Sequence, residues 1–350
     1  MAAPRIKRRS KDVRRAWERA NGVTQFCAVL DMALNQSAAR RLCEECDLDY
    51  PAPHWGGRES HIVIPDAPNE LTDDDLLRLC EDRGIAVLRD AMREDREVDV
   101  SVPAIDGQGT FRIGIVSDTH GCSKYQQHTL LRAAYDYFER EGITDVLHAG
   151  DWTAGAVHMH PGMVYEMFAH GGDQQAEYVC ESYPLRDGIT THGVSGNHDH
   201  SHMKSGGVNV VKRIASERED IEYLGMSGAY LTINGIRFYL HHPSGGVAYA
   251  RSYKLQKIVE QFSPQNKPKV LICGHWHTTC VLEMYRNVYA FATPCMEAQT
   301  PYLVEKGLYP EIGYTTLEVT YDDDGAVRFR KELIPFYTPI PNDYGLKVSV

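Results

Sequence analysis

Five short stretches concentrate side chains that bind divalent cations. They are Asp118-Thr119-His120, Gly150-Asp151, Gly196-Asn197-His198-Asp199, His241-His242 and Gly274-His275-Trp276-His277. Mixed imidazole and carboxylate donors favour Mn, Fe, Zn, Co or Ni over Mg or Ca. Any one of these stretches is a weak signal, because a lone Asp-x-His or His-x-His is more often a histidine satisfied by its neighbours. His198, His200 and His202 also alternate, and alternation alone fits the polar face of a strand. The five stretches gain meaning from the elements that must carry them.

"FRIGIVSD" (111–118) has the pattern of a buried strand. Leu130, Leu131, Ala134 and Phe138 follow at helical spacing, with Gly142 as terminator, and "ITDVLHAGD" (143–151) is a second buried strand. Strand, helix and strand with short joins make a βαβ unit with parallel neighbours. Open α/β sheets gather ligands beyond the carboxyl ends of their strands, and Asp118 and Asp151 stand at those ends. "YLTINGIRFYLHH" reads as a hairpin turning at Asn234-Gly235 and finishing at the paired histidines. "PKVLICGHWH" is another buried strand ending in polar groups, and "YTTLEVTYDDDGAVRFRKELI" reads as a hairpin turning at Asp324-Gly325. In extended backbone, residues i and i+2 face one side. Asp118 and His120 can then share an ion, and His275 and His277 face together while Trp276 points away.

The order DxH, GD, GNHD, H, GHxH resembles the calcineurin-like metallophosphoesterase family over roughly residues 111–300, closest to its small phosphodiesterase branch. The resemblance implies an αββα sandwich of two sheets and a pair of divalent transition-metal ions, manganese first among them. Asp118, His120 and His277 would hold one ion, Asn197, His241 and His275 the other, and Asp151 would bridge both. His241 is the first histidine beyond its strand, with Pro243 turning the chain, and His242 is the alternative. Asn197 would supply a neutral oxygen where a carboxylate would weaken the pull on phosphate. His198 would face the substrate and hand a proton to the leaving oxygen. His200, His202, His158 and His160 match no part of the motif and read as solvated or supporting residues, with substrate contact as the lesser alternative. Phosphoprotein phosphatases of this family carry an Asp three residues after the bridging one, and here that position is Ala154.

With 350 residues, 43% of them hydrophobic, the chain has room for a large domain and a small one. The expected boundary separates residues 1–105 from 106–350, with "REVDVSVPAIDGQG" (96–109) as a linker. The net charge of −11 argues against coating nucleic acid through bulk charge. Residues 5–19 are nonetheless strongly basic. Residues 11–95 read as mostly helical. Ser37 can cap a helix that carries Arg40 and Arg41 and stops by Tyr50-Pro51, an arrangement like a helix-turn-helix DNA-binding unit. Thr72 with Asp75 can cap a further helix ended by Gly84. The alternative is a helical module for packing or assembly. Nine cysteines, no secretory segment after Met1 and no membrane-length apolar run predict a cytoplasmic protein with reduced thiols. Cys43-x-x-Cys46 could be half a zinc site with Cys27, Cys80, His54 or His61, but on a helix it reads as core packing.

These readings converge on a metal-dependent phosphoester hydrolase, in the first instance a phosphodiesterase or nuclease acting on nucleic acid. A small phosphoester or nucleotide is the alternative substrate. A non-enzyme, either a scaffold that keeps the fold or a DNA-binding regulator, ranks last, because scaffold relatives usually lose ligands that this chain retains.

Overall fold

The computed structural model describes residues 10–20, 26–27, 29–30, 36–49, 97–105, 109–322 and 327–343. The chain divides into two compact units, Met1–Val87 and Leu88–Val350.

In the first unit, helices Ser10–Arg19 and Gln36–Glu45 contribute to a small core. Val13, Ala16, Phe26, Cys27, Ala39 and Cys43 are buried there, with Trp17 and Leu42 packed against them. Trp17 Nε1 donates to the carbonyl of Asp49 at 2.9 Å and Arg14 to that of Cys46 at 2.7 Å, fastening the end of the second helix to the first. That helix stops before Tyr50-Pro51, with Asp47 in the left-handed region at φ 54°. Burial, with Cys46 and Cys27 nearby, pushes the Cys43 thiol up to about 11, as expected of a packed thiol. Cys80, His54, His61 and the helix expected from Thr72 to Gly84 lie outside the described residues. Among the described residues no helix is long and apolar enough to cross a membrane.

The second unit contains two six-stranded sheets. Its strands are β1 (Glu97–Val100), β2 (Thr110–Val116), β3 (Asp145–His148), β4 (Thr190–Val194), β5 (Ile221–Gly225) and β6 (Gly228–Ile233). They continue as β7 (Ile236–His241), β8 (Val270–Cys273), β9 (Cys280–Tyr285), β10 (Val288–Ala292), β11 (Gly313–Tyr321) and β12 (Val327–Pro335). The first sheet runs β12-β11-β2-β3-β4-β5, with β2 to β5 parallel. The second runs β1-β6-β7-β8-β10-β9. Phe111, Ile113 and Ile115 of β2 and Leu317 of β11 meet Phe238, Leu240, Val270, Ile272 and Phe291 between the sheets. Helices His128–Arg140, Gly172–Ser182 and Val210–Glu217 bury Leu131, Phe138, Val179 and Ile214 in the core cluster on the outer face of the first sheet. Helix Ser252–Gln261 does the same for the second with Leu255 and Val259. The result is the αββα sandwich. Parallel strands covered on both faces must be apolar throughout, which is why β3 and β8 are buried at every position.

Two expectations need correction. The stretch 96–109 is not simply a linker: Glu97–Val100 forms β1, paired in parallel with β6 at the edge of the second sheet. Val98 and Val100 pack on the inter-sheet core while Glu97 and Asp99 stay exposed, a two-residue alternation masked by the Gly-rich end of the segment. The histidines from His198 to His202 lie on helix Asn197–Gly206, not on a strand. The hairpin turn at Asn234-Gly235 has φ 47° and 81°, as a type I′ turn requires. Strands β11 and β12 pair in antiparallel fashion, and the turn expected at Asp324-Gly325 lies outside the described residues.

Candidate metal centre

The carboxyl ends of β2, β3 and β4 in one sheet and of β7 and β8 in the other open at the same end of the sandwich. Five of the twelve non-glycine residues with positive φ among the described residues are Asp118 (53°), His120 (44°), Asp151 (55°), His275 (80°) and His277 (52°). Left-handed backbone disfavours residues with a β-carbon and persists where the surroundings enforce it, typically at functional sites. Here the enforcement comes from hydrogen bonds between loops. Asp118 N–H donates to Gly150 O at 2.9 Å, His120 N–H to Asp151 O at 3.0 Å, and Glu311 N–H to His277 O at 2.7 Å. Asp118 and His120 thus meet through a left-handed turn, not through the alternation of an extended strand.

Two close approaches depend on missing side chains. A β-carbon on Gly196 would stand 2.1 Å from Asp151 Oδ1, and one on Gly150 would stand 2.4 Å from His242 Nδ1. Asp199 then locks the turn. Its buried carboxylate accepts the N–H groups of Gly196 (2.8 Å), Trp152 (3.2 Å) and Thr153 (3.0 Å) and the hydroxyl of Thr153 (2.8 Å). This residue joins the loop after β3 to the start of helix Asn197–Gly206. Sequence reading passed over it, although an Asp three residues after an N-capping Gly is a helix-start signal.

The side chains converge in linked groups, with ligand atoms within 4.8 Å of one another: Asp118, His120 and His277; His120, Asp151 and His198; Asp151, His242 and His275. His277 Nε2 lies 3.3 Å from Asp118 Oδ1 and 3.1 Å from His120 Nε2. Asp151 stands between the outer groups, its Oδ2 at 3.9 Å from His120 Nε2 and 3.2 Å from His242 Nε2. Asn197 Oδ1 is 3.0 Å from His242 Nε2.

His241 was expected in this set, and the geometry puts His242 there instead. The His241 ring points back along the outer face of β7, stacked on Tyr239 with Nδ1 2.7 Å from Ser227 O. His242 is buried and turned toward Asp151. Ile236, Phe238 and Leu240 face the core, and the same two-residue period carries inward to position 242.

The electrostatics call for positive charge. Burial pushes the Asp151 carboxyl up, but His242 and His198 outweigh it and hold it well below the usual range. Burial pushes His242 down, yet Asp151 and Asp118 raise it to about 9. His277 is likewise raised, against its burial, by Cys295 and Asp118. Burial and neighbouring histidines lower His120 and His275 instead, so positive charge collects on His242 and His277 beside Asp151 and Asp118, the role that a divalent cation takes over when these donors bind one. The donor set fits such a group.

The model of the calcineurin-like phosphoesterase superfamily domain matches residues 111–292, just over half of the chain. The chain belongs to that superfamily. No curated protein matches it. Among solved structures it is similar to Vps29 of Chaetomium thermophilum, at 11% identity over 66% of this chain and 98% of that one, with a TM-score of 0.34. It is also similar to a dimetal phosphatase from Danio rerio (12% identity, 66% and 100% covered, TM-score 0.35). A third is a 5′-nucleotidase from Candida albicans SC5314 (11%, 67% and 52%, TM-score 0.31). Membership makes this protein a metal-dependent phosphoesterase.

In this calcineurin-like phosphoesterase, His198 sits at the second position of its helix. Its backbone N–H donates to Asp151 Oδ1 at 2.8 Å and its Nδ1 lies 2.6 Å from Ala154 O. A backbone carbonyl at position 154 thus orients the ring. The other noncanonical histidines divide. His202 is buried with Nε2 3.1 Å from Gln175 Oε1, and half-buried His200 has Nε2 2.6 Å from Met226 O, so both tie loops together. His158 is exposed. His160 stacks on Tyr302 at 4.2 Å and lines the cavity above the metal-binding groups.

That cavity has a volume of about 620 Å³. Trp276 reaches it from the second sheet, donating through Nε1 to Gly245 O at 3.2 Å. Glu297, which no motif flagged, is buried in its wall with Oε2 3.7 Å from His120 Nε2. In the first unit, Arg40 and Arg41 are exposed on helix Gln36–Glu45, and Arg40 is paired with Glu44 at 3.0 Å.

Proposed function

We propose that the chain hydrolyses phosphodiesters at a pair of divalent transition-metal ions. Asp118, His120 and His277 would hold one ion, Asn197, His242 and His275 the other, with Asp151 shared. The observation that carries this reading is the convergence of these donors, five of the seven on left-handed backbone, with Asp151 facing both groups. Divalent ions bound there supply Lewis acidity toward the phosphoryl oxygens and a water of lowered pKa. The residues supply the rest. Asn197 offers an uncharged oxygen, so the centre keeps more positive charge for an anionic substrate than a carboxylate would leave. His198, held through Nδ1 by Ala154 O, is free to use Nε2 and donates a proton to the departing ester oxygen. Imidazole-rich donors suit Mn, Fe, Zn, Co or Ni, and manganese is the first to test.

Nucleic acid as the substrate, docked by the N-terminal helices, is a second reading. It is supported by Lys11, Arg14, Arg15 and Arg19, all exposed on helix Ser10–Arg19. In that reading the domain boundary falls between the helical module and the sandwich, and the cytoplasm is the natural compartment for both substrate and reduced thiols. The test is a panel assay of the full chain with Mn²⁺ on bis-p-nitrophenyl phosphate, 2′,3′-cyclic nucleotides and single- and double-stranded DNA. Hydrolysis of the diesters is expected. Arg40→Glu with Arg41→Glu should weaken salt-sensitive duplex binding while sparing the small diester, because Lys and Arg act by displacing counterions. Two bound ions with no turnover on any diester would sink the phosphodiesterase reading.

A further inference from the structure

The cavity is larger than a phosphoryl group needs. Pockets of several hundred Å³ take whole small-molecule ligands, and about 620 Å³ lies beside the metal-binding groups. Three tyrosines line it: Tyr249, Tyr302 and Tyr309. The Tyr302 ring is stacked on His160, with Lys306 Nζ 5.5 Å from its centroid. Tyr249 is fully exposed and Tyr309 is 70% exposed, and among the described residues neither ring contacts another ring or a cation. Both stand on loops fixed to the metal-binding histidines. Tyr249 belongs to the loop between β7 and helix Ser252–Gln261. In that loop Gly245 O accepts Trp276 Nε1–H at 3.2 Å and lies 3.1 Å from His275 Nε2. Tyr309 stands two residues before Glu311, whose N–H donates to His277 O at 2.7 Å. The Glu311 carboxylate accepts the N–H and the hydroxyl of Thr279, each at 2.6 Å. Arg251 pairs with Glu311 and so joins the two loops.

A single exposed aromatic residue needs no explanation. Two uncovered rings on tied loops, both lining the cavity that holds the metal-binding groups, are a different matter. A tyrosine presents a large flat face with only two side-chain torsions to immobilise. Its complement is another flat ring, and stacking of this kind tolerates any base because every base has such a face. An aliphatic ester arm gains no comparable stack. We propose that Tyr249 and Tyr309 form a stacking subsite for a planar aromatic ester arm, so that nucleoside-bearing phosphodiesters are the preferred substrate class. The two tyrosines are specificity determinants for the reaction described above, and the inference rests on that reading of the site.

The experiment holds the leaving group constant. Thymidine 5′-(p-nitrophenyl phosphate) and methyl p-nitrophenyl phosphate release the same p-nitrophenolate and differ only in the arm that stays on phosphorus. With the full chain and Mn²⁺, wild-type kcat/KM should favour the thymidine ester by about tenfold. Tyr249→Ala and Tyr309→Ala should each cut that preference by about fivefold. The loss should fall in KM for the thymidine ester and not in kcat, with bound metal per chain unchanged by elemental analysis. Tyr249→Phe and Tyr309→Phe keep the ring and should keep the preference. A wild type that does not distinguish the esters, a preference unmoved in both alanine variants, or an equal loss in the phenylalanine variants overturns the inference. A wild-type chain that binds two ions yet cleaves neither ester overturns the hydrolase reading instead.

Discussion

Two clusters in the sandwich are built from the same side chains and do opposite things. One is the convergent set around Asp151. The other is His192 on β4, between Asp145 of β3 at 2.9 Å and Glu222 of β5 at 2.7 Å. In the second cluster the two ring nitrogens point to different carboxylates: Nε2 to Asp145 and Nδ1 to Glu222. The donors diverge from a single ring, leaving no point at which an ion could meet them all. The strand under His192 has ordinary extended backbone, whereas Asp118, His120, Asp151, His275 and His277 stand on left-handed turns. The difference teaches that composition does not make a metal centre. Convergence does, and for five of the seven donors here it rests on left-handed backbone at strand ends.

The largest effect expected from breaking that comparison is at Asp151. Asp151→Asn removes the carboxylate shared by both groups. Bound metal should fall below one ion per chain on reconstitution with Mn²⁺. Turnover on a diester should fall on the order of 10⁴-fold or more, since the loss includes the metal contribution as well as any proton transfer. The same assay separates the paired histidines. His242→Ala should strip metal, whereas His241→Ala should leave the metal content unchanged. Equal loss in both variants would show that the inward turn at position 242 does not decide the ligand.

The floor of the cavity was legible in the sequence because its chemistry is written in residue type at strand ends. Asp118, Asp151 and His275 follow apolar runs that could only be buried strands. Choosing between His241 and His242 needed one more step, the two-residue period of Ile236, Phe238 and Leu240, which motif matching bypassed. The wall was not legible. Glu297, Glu166 and Met163 come from loops and short helices whose placement depends on contacts far apart in the chain, such as Glu166 with Tyr302. Strand β1 escaped for a related reason: four residues at a sheet edge carry too short an alternation to stand out beside a Gly-rich turn.

A smaller effect is expected at His198. His198→Ala should retain both ions while turnover drops by roughly 10²–10⁴-fold, the range for a lost general acid. A diester with a very good leaving group should suffer less, because its departure needs little help from a proton. Loss of metal in this variant would place His198 among the ligands and remove it from proton transfer.

The smallest effect belongs to the divergent cluster and appears in stability alone. Burial would lower the pKa of His192, but Asp145 and Glu222 outweigh burial and raise it to about 9. An unfolded histidine titrates near 6.5. A group whose folded pKa is raised binds its proton more tightly in the native state. Its contribution is therefore complete below about pH 6.5 and is lost as pH climbs through about 9. Urea unfolding from pH 6 to 9.5 should show this decline in wild-type protein. His192→Gln, which keeps hydrogen-bonding capacity and cannot be charged, should lack that component, so the difference between the two proteins should shrink as pH rises. Diester turnover of the folded variant should stay within about twofold of wild type, because His192 does not line the catalytic cavity. A stability difference that stays constant across this range would mean that His192 is not protonated between its carboxylates. A matching loss of turnover would mean that the two clusters are not independent.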